Sequence, residues 1–105
     1  MVEVRYYVAE NGHSPFAIWR SALDPIARAR VTAAIVRIGL GHVSAVKPVG
    51  GGVYEYRIDF GPGYRVYFGR DGNALVILLT GGTKKRQARD IETAIAFWAS
   101  YKRHR

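Results

Sequence analysis

The sequence predicts an α+β fold, a small antiparallel sheet with three helices in the order β-α-α-β-β-β-α. Three observations carry that reading. Two runs of alternating apolar and polar residues, Val53 to Phe60 and Tyr64 to Phe68, flank Gly61-Pro62-Gly63, the signature of a hairpin. Two acceptor–proline pairs, Ser14-Pro15 and Asp24-Pro25, open apolar stretches as helix starts do. The last twenty residues then repeat apolar side chains at helical spacing.

In chain order, Glu3 to Ala9 is short and rich in Val and Tyr, and reads as a strand. A short helix follows Ser14, with Phe16, Trp19 and Leu23 on one face. A second runs from about Pro25 to Leu40 with Val31, Ile35 and Ile38 as its stripe. So tight a connection predicts an antiparallel helical hairpin. Gly39, Gly41 and Gly50-Gly51-Gly52 mark a loop with Lys47 in its middle. Asp71-Gly72 makes the next turn, and Ala74 to Thr80, apolar on both faces, reads as a strand buried on two sides. Gly81-Gly82 ends the sheet, and Thr83 is the expected N-cap of a helix reaching about Lys102, with Ile91, Ala94, Ile95 and Trp98 inward. No linker, repeat or low-complexity tract divides the 105 residues, so 1–105 is expected to be one domain. A chain of this length buries roughly two-thirds of its unfolded surface and needs no metal or disulfide staple.

Composition narrows the function. There is no cysteine, which excludes a disulfide framework, zinc–thiolate sites and thiol catalysis. No apolar run approaches the length of a membrane helix. The opening MVEVRYYVAE mixes charge into its apolar residues, unlike a signal peptide. The expectation is a cytoplasmic protein with no membrane partner. Sixteen Lys and Arg against eight Asp and Glu give a net charge of +8, and twelve of the cations are Arg. The guanidinium fork suits bidentate binding of phosphate and carboxylate, so the excess points to a polyanionic partner.

Position sharpens this. When the apolar faces of the two hairpin strands coincide, the opposite set coincides too. Glu55, Arg57 and Asp59 therefore share a face with Arg65 and Tyr67. One reading is a solvated face with cross-strand Arg–carboxylate pairs worth about 0.2–1 kcal/mol each. The other is an anion-binding site. A second cluster, Lys84, Lys85, Arg86 and Arg89, sits where the last helix begins, and cations at a helix start oppose its macrodipole. They either point to water or form a phosphate site. Gly81-Gly82-Thr83 lacks the spacing of a nucleotide-binding P-loop. His13, His42 and His104 have no metal-ligand partners at the usual spacing, and no GxSxG, HExxH or EF-hand pattern occurs.

The stretch VYEYRIDFGPGYRVYF, an apolar strand, GGTKK and a helix ending in FWASYK together resemble the RelE/ParE superfamily of type II toxins. The similarity is strongest to the HigB-like, phage-derived addiction-module branch, whose lead-in to the sheet resembles KPVGGGVYE, and it spans Arg5 to Lys102. The resemblance implies a cognate antitoxin, with a higher-order toxin–antitoxin complex, and a target in the ribosome and its mRNA. It implies metal-independent cleavage with no cofactor, in which the ribose 2′-OH attacks its own phosphate. Such a site needs a proton acceptor, a proton donor and cations. By the resemblance Arg65, in GYR, grips the scissile phosphate, with Arg57 beside it. Lys47 matches a basic loop residue, and Lys84 and Lys85 the basic position after the last strand. Tyr67 is a further proton-transfer candidate if a cation lowers its pKa, a role the resemblance does not assign, while Arg86, Arg89 and Glu55 complete the RNA-binding set. One departure stands out. The C-terminal tyrosine of the RelE type has no counterpart in ARDIETAI, so the base is left among Glu55, Tyr67 and a lysine. That departure also leaves open a ParE-like protein that inhibits gyrase by binding alone.

Overall fold

The computed structural model describes residues 1–42 and 44–105. Strand β1 (Glu3–Tyr6) leads into helices α1 (Pro15–Ser21) and α2 (Pro25–Gly39). Four strands follow: β2 (Val46–Gly50), β3 (Val53–Ile58), β4 (Tyr64–Asp71) and β5 (Leu75–Thr83). A single 3-10 turn, Lys84–Arg86, then passes into α3 (Gln87–His104).

The two helix starts form as their sequences dictate. Ser14 Oγ accepts from Ala17 N at 3.2 Å, and Asp24 Oδ1 accepts from Ala27 N at 2.9 Å, with proline in the first turn of each helix. The β3–β4 hairpin has the register its alternation requires, Glu55 opposite Tyr67 and Arg57 opposite Arg65.

Three expectations are corrected. The sheet has five strands in the order β1-β5-β4-β3-β2 and is mixed, because β1 runs parallel to β5 while the other pairs are antiparallel. The supposed loop around Lys47 is strand β2. Its Pro48 lacks a ladder donor but sits on an edge strand, where that costs nothing. Thr83 makes no side-chain cap; the chain tightens into the 3-10 turn instead, and the helix proper starts at Gln87.

Each face of the sheet carries its own core. Phe16, Val31 and Ile38 from α1 and α2 pack on Val66, Phe68 and Leu78. On the other face Ala94 and Trp98 from α3 pack on Tyr67, Ile77 and Leu79. The hairpin's polar face is therefore not a solvated surface, since α3 lies against much of it. Close approach is made possible by glycine. A Cβ on Gly69 would fall inside the Trp98 indole. Gly69→Ala should accordingly cost about 1–3 kcal/mol through overpacking, read as a lower urea midpoint. Among the described residues, no helix is long and apolar enough to cross a membrane.

Candidate functional site

Strand register brings Lys47, Glu55 and Tyr67 into one row across β2, β3 and β4, with Arg57, Arg65 and Gly82 in the next row toward the sheet's end. Glu55 is the centre. It is only 1% exposed, so its charge must be met by partners. Its Oε2 accepts from Gln87 Nε2 at 2.8 Å, and its Oε1 lies 3.9 Å from both Lys47 Nζ and Arg65 Nε. Gln87 is the first residue of α3, so the same packing that buries the sheet also delivers this donor.

Arg65 is 7% exposed, and its Nη1 donates to Gly63 O at 2.7 Å. It is tied to the sheet and to Glu55 and does not project as a phosphate clamp. Lys47 and Arg57 are exposed and do project, although Arg57 Nε also lies 3.3 Å from Asp59 Oδ1. Lys47, Glu55 and Arg57, with Ser44, Ala45 and Val46, line a shallow hollow of about 130 Å³. The 3-10 turn is held beside this end of the sheet by Lys84 N donating to Gly63 O at 2.9 Å, leaving Lys84, Lys85 and Arg86 exposed. Arg89 is exposed on the first turn of α3, where its charge, with that of Arg86, acts on Asp90.

Tyr67 lies on the expected face, opposite Glu55, but is not open to solvent there. It is fully buried, and its hydroxyl has no hydrogen-bond partner among the described residues. Burial first, and then the negative charge of Glu55, push its pKa well above the ordinary 10.0 of tyrosine. A phenol so placed stays protonated near neutrality. Because its folded pKa is raised, the stability it contributes is complete below pH 10 and is lost as pH climbs toward the folded value. The alkaline limb of a stability–pH curve should therefore flatten in Tyr67→Phe, with little change at pH 7.

Two residues of this region escaped the sequence reading. Gln87 lies 32 positions from Glu55, and nothing local announces their contact. Asp90 packs its carboxylate against the backbone at Gly82, where any side chain would collide with it. Burial raises the Asp90 pKa, with Arg86 and Arg89 opposing. Its acidic place in the first helical turn was the available signal, since the helix dipole favours an anion there. Among the described residues, no group of three or more His, Cys, Asp or Glu is arranged to hold a metal ion.

All the candidate residues from Lys47 to Arg89 lie within the segment that matches a known family. Residues 19–97 match the family described as Phage derived protein Gp49-like (DUF891). An uncharacterised protein of Haemophilus influenzae is 44% identical over 80 residues, covering 75% of this chain and 81% of that protein. The chain belongs to the phage-derived Gp49-like family.

Proposed function

We propose that this protein is the toxin of a type II toxin–antitoxin module of HigB-like, RelE-related type, and that it halts translation in the cytoplasm by cutting mRNA on the ribosome. The observation that carries the reading is Glu55, among the described residues the one carboxylate lining a cationic hollow, fixed by Gln87 and flanked by Lys47 and Arg65. In the reaction, Glu55 accepts the proton of a ribose 2′-OH. The freed oxygen bonds to the adjacent phosphorus, and the bond to the 5′-oxygen breaks. Lys47 and Arg57 meet the charge that develops on the phosphoryl oxygens. The leaving oxygen takes a proton from a cationic side chain, for which Lys84 and Lys85 are the candidates. Arg86 and Arg89 bind the flanking backbone. Arg65 positions Glu55, and Tyr67 packs beneath it. A cognate antitoxin is the expected partner.

Inducing the protein in a bacterial host should produce new 5′ ends confined to translated regions, detected by primer extension, and Arg57→Ala should reduce them without loss of fold. Growth arrest with intact transcripts and inhibited supercoiling by purified gyrase would instead favour a ParE-like binding toxin. The exposed cations add a further expectation. If Lys47, Arg57, Lys84, Lys85 and Arg86 each engage a phosphate of single-stranded RNA, log K should fall with log salt at a slope of about −3.5.

A further inference from the structure

A second hollow, of about 220 Å³, opens on the α2 face of the sheet, between the end of that helix and the β4–β5 turn. Its walls are Val2, Ile38, Val46, Phe68 and Val76, all part of the core on that face. Protein interiors hold few voids larger than a water molecule, so apolar walls left this far apart depart from close packing. The mouth is open as well. Gly41 and Gly72 stand there with left-handed φ of 83° and 72°, and a Cβ on either would meet nothing within 4 Å. An apolar cavity of roughly 150 Å³ takes up benzene, so this hollow has room for a ring or a chain of about seven carbons.

The rim says what the other end of the ligand is. Arg70, Asn73 and His42 line it, and all three are exposed. The Arg70 guanidinium lies over the Tyr54 ring, 5.1 Å from its centre, and Tyr54 in turn stacks on Phe68 at 5.7 Å. This stack holds the fork in place beforehand, so binding costs it little side-chain freedom. Among the described residues Arg70 makes no ion pair, and no Asp or Glu lines the hollow. The neighbouring Asp71 is engaged elsewhere, its two oxygens bonded by Tyr101 and Arg105. A planar carboxylate matches the guanidinium fork. A phosphate monoester would bring a second charge beside apolar walls, with no second cation to meet it.

We propose that this hollow binds a small monocarboxylate with an apolar body, the body against Val46, Phe68 and Val76 and the carboxylate on Arg70, with the Asn73 amide as a further donor. The hollow lies on the opposite face of the sheet from Glu55, so the proposal goes beyond the ribonuclease reading and does not depend on it.

The test uses the full-length protein with isotope-labelled valine methyls, and octanoate as the probe. Octanoate should shift the Val2, Val46 and Val76 signals saturably, with a Kd below about 1 mM. Val31 and Val53, buried away from the hollow, should not respond. Octanol and octylammonium, of the same length without the negative charge, should bind at least about tenfold more weakly. Arg70→Gln should bring octanoate to the level of octanol. Val2→Phe, which fills the hollow, should abolish the shifts at Val46 and Val76, whereas Val8→Phe, at an exposed position elsewhere, should leave them as they are. Absence of saturable shifts, octanol binding as well as octanoate, or shifts indifferent to Arg70→Gln overturns the proposal. So does displacement of octanoate by an equal concentration of inorganic phosphate, or a response spread over every valine, since these report a general anion site or a detergent effect. Glu55→Gln should bind octanoate as wild type does, which keeps this outcome separate from the fate of the ribonuclease reading.

Discussion

In Glu55→Gln, cleavage of ribosome-bound mRNA should slow by about 10²–10⁴-fold, the usual yield of a positioned general base. Glutamine has the same shape and keeps a carbonyl oxygen for the Gln87 amide, which now donates to Glu55 Oε2 at 2.8 Å. It has no basic oxygen to take a proton. The loss should fall on kcat, with affinity for the programmed ribosome nearly unchanged, because the exposed cations proposed to bind RNA are left in place. Normal circular dichroism beside lost cleavage identifies a chemical defect. A variant that cleaves within a factor of a few of wild type removes Glu55 from the chemistry.

Arg65→Ala should have the largest effect on stability, about 3 kcal/mol, measured as a drop in the urea midpoint. Arg65 Nε is 3.9 Å from Glu55 Oε1, and both side chains are almost wholly buried. Removing the arginine strands the carboxylate with Lys47, which is largely in water, and with one amide donor. It also frees the carbonyl of Gly63 from the guanidinium that now bonds it. Since domains of this size are stable by only about 5–15 kcal/mol, the variant is a poor test of catalysis: lost toxicity would follow from lost fold. The double variant Arg65→Met with Glu55→Gln should be less destabilised than the sum of the two single changes, because the buried charge leaves with its partner. Strict additivity would mean that the pair is not coupled. This reverses the sequence-level expectation of an exposed arginine gripping phosphate. Arg57, one row-mate away and exposed, is the cleaner probe.

The hairpin was readable because its period of two is a local property, and alternation alone placed Glu55, Arg57, Arg65 and Tyr67 on one face. What alternation cannot report is what covers that face. The burial of Glu55 and Tyr67 comes from α3, thirty residues further on, so a site that read as solvated is partly roofed. Strand β2 was hidden for another reason. Val46 to Gly50 is five residues long with Pro48 inside it, and only pairing with β3 makes it a strand. The parallel partnership of β1 with β5 joins segments some seventy residues apart and leaves no local mark. Caps were legible because Ser14 and Asp24 act within three residues of themselves.

The most direct test of the central claim is the chemistry of the cut ends. Purified protein should cleave mRNA on programmed ribosomes, leaving a 2′,3′-cyclic phosphate on the upstream fragment and a 5′-hydroxyl on the downstream one. A single 2′-deoxy substitution at the cut site should abolish cleavage there, because the nucleophile is gone. Intact mRNA, fragments bearing 5′-phosphates, or a 2′-deoxy message cut at the normal rate would contradict a 2′-OH attack assisted by Glu55.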